Sequence, residues 1–521
     1  MPTLDKSQEL PPSLRWDFYS SALIFLFVVI ILFRWTYPPT FIDVYYHLST
    51  MLGFNISEGF SPRAFWEYAP VGRAQLYPPL LHFIMLAFYK LGLPAIKVAK
   101  LMEFLMYPAL LITLWLLIKK IFSRRLAFFA VLIAVSSYPF YLSTVDFLAS
   151  SLAVIFGLLA FLSLERRRLL AAILLLTLAF YSHSSTSFYL VLSFILYGFF
   201  NRQGLKSVLT MIIGAVILAS PLFIYQFNLR HYISFRPVAE NFPLEINFLV
   251  CFLALIGFIF SFKKDKRYLF FLALSLLTLP FLNYKYRFLC GQGSLGFIFF
   301  AALALDVFYE KLIQYLSKKA ISKAFFYSIF CLALVFFIIF SPAVSLNNGV
   351  IHLNFLNSTY LNLIQLLPPY RANEFAIYYP KLFEEAVDMI KRYSASDDII
   401  YCNEPYIGGL LSVLTKRATS TAMLSEVEAY KDFDPIKSAK IIAWFRNPKR
   451  DYERELGPVV KKYNLRLMGV TTALYLYDNP FARAKANSVK AAVPNVLVYF
   501  VLVVVAGLIA WDQMRPRLSK R

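Results

Sequence analysis

Charge is scarce in this chain. Asp, Glu, Lys and Arg make up only 16% of its 521 residues, while 59% are hydrophobic, against the roughly 25% charged and 45–50% apolar usage of soluble domains. A soluble domain of this length is excluded. Cysteine is scarcer still: Cys251, Cys290 and Cys331 sit in apolar runs and only Cys402 lies in a polar stretch. That excludes a disulfide framework or a thiolate metal site. The amino terminus, MPTLDKSQELPPSLRW, lacks both an apolar core and a small-residue cleavage site, so no cleaved signal peptide is expected and Ser20 to Phe33 reads as a retained span. No tandem repeat of 20 to 50 residues is present, which argues against a solenoid.

What the chain has instead is length without charge. Its apolar residues come in twelve runs of about 14 to 23 residues, from Ser20–Phe33 to residues 492–511, most of them near the length a helix needs to cross roughly 30 Å of hydrocarbon. The expectation is an α-helical polytopic membrane protein of about twelve transmembrane helices. A thirteenth stretch, Pro78 to Gly92, is short for a span and suits a helix lying on the membrane surface. Short cytoplasmic loops collect Lys and Arg, and the basic clusters decide the count. If Pro78–Gly92 does not cross, then Lys119, Lys120, Arg124 and Arg125, Arg166 to Arg168, and Lys263, Lys264, Lys266 and Arg267 all fall on the side of both termini. If it crosses, they move outside. The non-crossing arrangement is expected, with both termini cytoplasmic in the cell membrane and one juxtamembrane helix outside.

Residues 342–490 then form one extracytoplasmic segment with 19 basic and 15 acidic residues, and its alternating patterns predict a small mixed α/β domain. The expected organisation is a membrane module over 1–341 with a first outer loop at 36–95, the outer domain at 342–490, and a last span with a basic tail at 491–521. The net charge of +22 falls mostly in cytoplasmic loops, where anionic lipid accepts it. Nucleic acid is not an expected partner.

The outer face carries few ionisable residues. The segment FIDVYYH places Asp43 and His47 at i and i+4, on one face if helical. A carboxylate there suits a general base or metal ligand, and equally an N-cap. Asp146 stands alone in STVDF, and His183 opens the loop YSHSSTS. Asp146 suits either a site or helix-end capping, and His183 either a ligand or acid or a satisfied interfacial residue beside Ser and Thr. Lys285 and Arg287 in NYKYR place two cations on the outer side against the inside bias, which suits an anionic partner such as a phosphate or interfacial snorkelling. This constellation fits activation of a nucleophile opposite a phosphate leaving group, and it also fits a transporter mouth.

The string FIDVYYHLSTMLGF, followed by YAPVGRAQLYPPLLHF, resembles the first outer loop of the glycosyltransferase-C superfamily, particularly archaeal relatives of the oligosaccharyltransferase catalytic subunit. Asp146, the Arg287–Phe288 start to a span and the outer carboxy-terminal domain match the same pattern. The resemblance implies transfer of a sugar, with inversion, from a polyprenyl-phosphate or polyprenyl-diphosphate carrier to a protein, lipid or glycan acceptor on the outer face. By that resemblance Asp43 and Asp146 are catalytic, Arg287 and Lys285 bind the donor phosphate, and His47, Arg73, His82, His183 and Glu404 contact donor or acceptor. A divalent metal, Mg or Mn, would be held by Asp43 and Asp146. Oligosaccharyltransferases carry a paired acidic motif where this chain has Thr144, Val145 and Asp146, and a Trp-Trp-Asp motif where it has CNEPYIGG at 402–409. Two other readings remain open: an oligosaccharyltransferase acting on Asn, and a lipid-binding or transporter-like protein without catalysis. Coupled transport needs ionisable residues along the bundle, and the spans hold only Lys100, Glu103 and Asp306 in or near them.

Overall fold

Inside hydrocarbon a backbone N–H has no water to bond, so an apolar run must satisfy its polar groups by coiling. The computed structural model describes the chain except residues 1–11, 38, 40–42, 202–203, 235–243, 262–265, 278–290, 319–322, 348–349, 357, 366–379, 424–425, 447–451 and 515–521. Within the described residues each of the twelve apolar stretches carries helix. In chain order the helices are α1 (Pro12–Leu32), α2 (Val44–Ile56), α3 (Leu80–Lys90), α4 (Ala95–Ile121), α5 (Arg124–Ser136), α6 (Tyr138–Asp146), α7 (Leu148–Glu165), α8 (Leu169–Ser182) and α9 (Ser184–Phe200). There follow α10 (Leu205–Asn228), α11 (Phe248–Ser261), α12 (Tyr268–Leu276), α13 (Ser294–Lys318), α14 (Lys323–Ile339), the short α15 (Thr359–Gln365) and, near the end, the helix Asn495–Met514.

Five of the described helices, α1, α4, α7, α10 and Asn495–Met514, are each long and apolar enough to cross a membrane, and α5 with α6 makes a sixth crossing if counted as one. This is a membrane protein. The run at 126–142, which reads as one uninterrupted span, is bent by 79° between α5 and α6. Pro139 explains the break: it has no N–H for the carbonyl of Val135, and its ring collides with that carbonyl in a continuous helix. The bundle packs tightly where side chains are small. A Cβ on Gly257 of α11 would lie 1.8 Å from the Phe300 carbonyl oxygen of α13. The charges predicted in or near the spans are paired: Lys100 with Glu103 at 2.9 Å, and Asp306 with Arg125.

The first outer segment folds back on the bundle. Helix α2 is buried from Val44 to Phe54. Three two-residue strands follow, β1 (Gly59–Phe60), β2 (Arg63–Ala64) and β3 (Arg73–Ala74), with β2 and β3 paired antiparallel. Helix α3 has 11 residues, about 16 Å of rise, too short to cross.

Strand β4 (Leu244–Asn247) pairs with β5 (Ala343–Asn347), which pairs with β6 (Val350–Asn354). Tyr360 of α15 donates from its hydroxyl to the Leu23 carbonyl in α1 at 2.7 Å. Residues 343–365 thus rest on the bundle, and the compact α/β unit begins beyond them, at Pro380. It holds β7 (Ile399–Cys402), β8 (Ala418–Thr419), β9 (Ile441–Phe445), β10 (Arg466–Val470) and β11 (Leu474–Asp478) in the order β10-β11-β9-β7-β8. β7 runs parallel to both neighbours. The helix Pro405–Thr415 connects β7 to β8, with Pro405 at its start and Lys416 in the left-handed conformation at its end, the expected punctuation of a helix. Central β9 is buried at all five positions, as its run IIAWF requires of a strand covered on both faces. Finally β12 (Val493–Pro494) pairs antiparallel with β1. Gly59 is essential to that junction, since a Cβ there would lie 2.1 Å from the Val493 carbonyl oxygen.

Candidate functional site

Asp43 stands at the head of α2. Its backbone carbonyl accepts from His47 N–H at 3.1 Å, while its half-buried side chain makes no capping hydrogen bond. Capping, the plain alternative for this residue, is therefore not what its carboxylate does. One turn on, His47 Nδ1 lies 3.0 Å from His82 Nε2 of α3. Two facing nitrogens at that distance need one proton between them. Burial holds both rings neutral, pushing His47 down to about 3 and His82 well below its ordinary value, the latter also disfavoured by a charge on His47. The pair locks α2 to α3, and with it the position from which Asp43 leaves the helix.

Tyr77 organises the surroundings. Its ring centroid lies 5.5 Å from His47, 5.7 Å from His82, 5.6 Å from Tyr46 and 5.9 Å from His183. His47, His82 and His183, which the sequence separates by up to 136 positions, are thus brought round one aromatic ring. Sequence reasoning passed over Tyr77 as a site residue, although it lies in the quoted string QLYPP. His183 is the N-cap of α9: its Nδ1 accepts from Thr186 N–H at 3.2 Å and lies 2.8 Å from Thr186 Oγ1.

Arg73 lies in a joint between the first outer loop and the outer domain. Its Nε donates to Glu67 Oε2 at 2.8 Å, and Glu67 Oε1 accepts from Met423 N–H at 3.3 Å. Alongside, Thr419 N–H donates to the Trp66 carbonyl and Ala69 N–H to the Thr419 carbonyl, both at 3.0 Å. Arg73 also sits 5.6 Å over the Tyr46 ring. Burial pushes the Tyr46 phenol up to about 12, with Arg73 opposing the rise. The loop is fastened on its other side by α10, where Tyr225 hydroxyl donates to the Pro62 carbonyl and Gln226 Nε2 to the Leu76 carbonyl, each at 2.8 Å.

Asp146 is the last residue of α6, half-buried at the turn into α7. That turn is braced by Ser151, whose hydroxyl donates to the Thr144 carbonyl at 2.8 Å. Glu404 is half-buried and precedes the helix Pro405–Thr415 without capping it through its side chain. Two positions before it, Cys402 is fully buried, its thiol pushed up to about 12 by burial, so it is no nucleophile. Lys285 and Arg287 lie outside the described residues.

A hard divalent cation wants several oxygen ligands. Among the described residues no group of three or more His, Cys, Asp or Glu converges, so the described donors do not by themselves make a site for Mg or Mn.

No family model and no curated protein matches this sequence. Solved structures do. The archaeal oligosaccharyltransferase AglB from Archaeoglobus fulgidus, in complex with an inhibitory peptide and a dolichol-phosphate, superposes with a TM-score of 0.53 at 13% identity, over 89% of this chain and 74% of that one. ArnT from Cupriavidus metallidurans, bound to undecaprenyl phosphate, gives 0.52 at 12% identity over 89% of this chain and 98% of that one. The chain shares the fold of these two proteins. A further Archaeoglobus fulgidus oligosaccharyltransferase structure, in complex with Zn and sulfate, gives 0.53 at 12% identity over 88% of this chain and 73% of that one. The likeness, over 88–89% of the chain, thus takes in the membrane bundle and the α/β unit together. At these identities it speaks for the fold, and the chemistry has to come from the residues.

Proposed function

We propose that the protein is a membrane glycosyltransferase that moves a sugar, with inversion, from a polyprenyl-phosphate or polyprenyl-diphosphate carrier to an acceptor on the extracytoplasmic face. One observation carries the reading: two proteins whose structures hold a polyprenyl phosphate share this fold over 89% of the chain. The proposed topology is twelve spans with both termini cytoplasmic, α3 on the outer surface and residues 342–490 outside. It rests on the basic loops.

In the proposed reaction the acceptor gives its proton to the Asp43 carboxylate as its freed electron pair forms a bond to the anomeric carbon. The bond from that carbon to the carrier phosphate oxygen breaks on the opposite face, and the pair leaves on the phosphate. A single displacement of this kind inverts the centre. Arg287 and Lys285 neutralise the departing charge, the role oriented cations play at a developing anion. Asp146 orients the acceptor from the α6–α7 corner. His47 and His82 hold Asp43 in register, His183 and Glu404 face donor or acceptor, and Arg73 acts through the joint it makes with Glu67.

The oligosaccharyltransferase reading stands second, because the chain has Thr144, Val145 and Asp146 where those enzymes carry paired acids and CNEPYIGG at 402–409 where they carry Trp-Trp-Asp. Lys100–Glu103 and Arg125–Asp306, the ionisable groups that the sequence places in or near the spans, are paired, which counts against the transporter reading. The test is donor dependence: purified protein in lipid nanodiscs, given radiolabelled polyprenyl-phosphate hexose, transfers label to a glycan or lipid acceptor. Label on an Asn-X-Thr peptide would move the assignment to the second reading, and no transfer from any polyprenyl-linked sugar would remove both.

A further inference from the structure

The pairing of β4, β5 and β6 sorts their residues by polarity. One rung of the ladder carries Leu244, Leu346 and Ile351, and another Ile246, Val344 and Leu353. Successive residues of a strand belong to opposite faces, so these two rungs share one face, and it is apolar throughout. The other face takes the rung Glu245, Ser345 and His352 and the rung Asn247, Ala343 and Asn354. In a soluble antiparallel sheet the apolar face turns to the core. Here the buried end is on the polar face: Asn247 and Ala343 are 7% and 1% exposed, and farther out His352 and Asn354 are open. On the apolar face Ile351 and Leu353 are 68% and 61% exposed, and Phe355, in step with them just past β6, is 58% exposed. No described part of the chain covers them.

Two tethers set where this face lies. Asn247 ends β4 and is followed directly by Phe248 of α11; its Oδ1 accepts from Val250 N–H at 3.1 Å, and its Nδ2 donates to the Ser341 hydroxyl. β5 begins at Ala343, four positions after Ile339 ends α14, and Ser341 N–H donates to the Phe355 carbonyl at 3.3 Å. The sheet therefore starts level with the ends of two apolar helices. Those helices carry exposed apolar residues up to the same level, Phe248 and Phe252 on α11 and Phe336 and Ile339 on α14.

We propose that the β4-β5-β6 sheet is a membrane-surface anchor whose apolar face lies on the acyl chains of the leaflet that α11 and α14 enter. Lipid is the occupant because the face continues the apolar flank of both helices without a break and holds no charged residue for a polar partner to meet. An open sheet edge cannot sit in hydrocarbon, where its free N–H and C=O groups find no partner. The sheet therefore lies in the interface, with headgroups and water serving the edges of β4 and β6, and its apolar residues reach about 5–10 Å into the boundary, the depth of an amphipathic helix in the same setting. His352 and Asn354, on the opposite face, stay in water. Residues 343–356 then belong to the bilayer surface, and the segment in water begins beyond them. This anchor goes beyond the glycosyltransferase reading and does not depend on it.

The test is fluorescence quenching in the full-length protein in nanodiscs, with no activity in the readout. A variant whose Cys251, Cys290, Cys331 and Cys402 are replaced by alanine receives Leu353→Cys, His352→Cys or Leu467→Cys and one fluorescent label. Leu467, 58% exposed on β10 of the α/β unit, is the water-facing reference. Lipids spin-labelled high on the acyl chain should quench the label at 353 several-fold more than the label at 467, aqueous iodide should do the reverse, and the label at 352 should follow 467. Should the cysteine-free chain not fold, Leu353→Trp and Leu467→Trp in the natural chain decide through quenching by brominated lipid, read against the unsubstituted protein. Equal quenching at 353 and 467 would overturn the inference, and lipid quenching at 352 as strong as at 353 would overturn the assignment of faces on which it stands. A label at 353 that neither quencher reaches would mean that protein, a second copy or another segment, covers the face, and would overturn it as well.

Discussion

The hydrogen bond between His47 and His82 sets a pH dependence whose sign can be worked out. Both rings ordinarily titrate near 6.5, and in the folded protein His47 is pushed down to about 3 and His82 well below its ordinary value, chiefly by burial. Between those values the unfolded chain binds protons that the folded one does not, so stability is full above about 6.5 and falls as the pH drops toward 3. Thermal melts of the detergent-solubilised protein should show that acid loss, and a His47→Gln/His82→Gln variant should flatten it; a profile unchanged in the double variant would put the acid sensitivity elsewhere. The Glu67–Arg73 pair makes a second residue-scale prediction. Both residues are 98–99% buried, and Glu67→Gln strands a buried guanidinium at a cost of about 3–5 kcal/mol. Removing both charges with Glu67→Gln/Arg73→Met should recover much of that loss, and denaturation of the two variants side by side checks it. Asp43 was legible as a candidate from FIDVYYH because an acid beside aromatics at a span's end is conspicuous. The Glu67 joint was not, because its partner backbone is Met423, 356 positions away, and no local pattern encodes that distance.

At the scale of elements, local signals carried furthest where they were self-contained. Pro405 and Lys416 bound the helix between β7 and β8, because a proline start and a left-handed stop act within one turn. The strands DDIIYC and ALYLY likewise follow from alternation and apolar content. The break between α5 and α6 was readable in principle from Pro139 but was masked by an apolar run that continues through it. Residues 343–354 join β4 across nearly a hundred positions, a pairing of non-local origin. One element decides how the outer loop and the last span stay together. Gly59→Val would drive a side chain into the Val493 carbonyl, with its Cβ 2.1 Å away, and should separate β1 from β12. Limited proteolysis of that variant should cut near residues 491–494 faster than wild type; equal rates would show that the junction tolerates a side chain.

For the whole molecule the deciding quantity is where charge lies. Few charges in the runs predicted the bundle, and Lys100, Glu103, Arg125 and Asp306 in or near it are paired, which counts against ion coupling. The side proposed for residues 342–490 rests on the basic loops. Cysteines placed at Lys120 and at Lys461 should react with a membrane-impermeant maleimide on opposite sides of sealed vesicles; labelling on one side would overturn the topology. Site organisation was only partly legible at this scale, because the histidine cluster gathers α2, α3 and α9 around Tyr77, an arrangement that exists only after tertiary packing. The claim that most needs testing is catalysis by Asp43. The measurement is transfer of radiolabelled hexose from polyprenyl phosphate by Asp43→Asn and wild-type protein in the same nanodiscs, with melting temperatures taken in parallel. A loss of at least about a hundredfold, the lower range for a general base, at an unchanged melting temperature is the predicted result. Wild-type transfer rates from the folded Asp43→Asn protein would contradict the account.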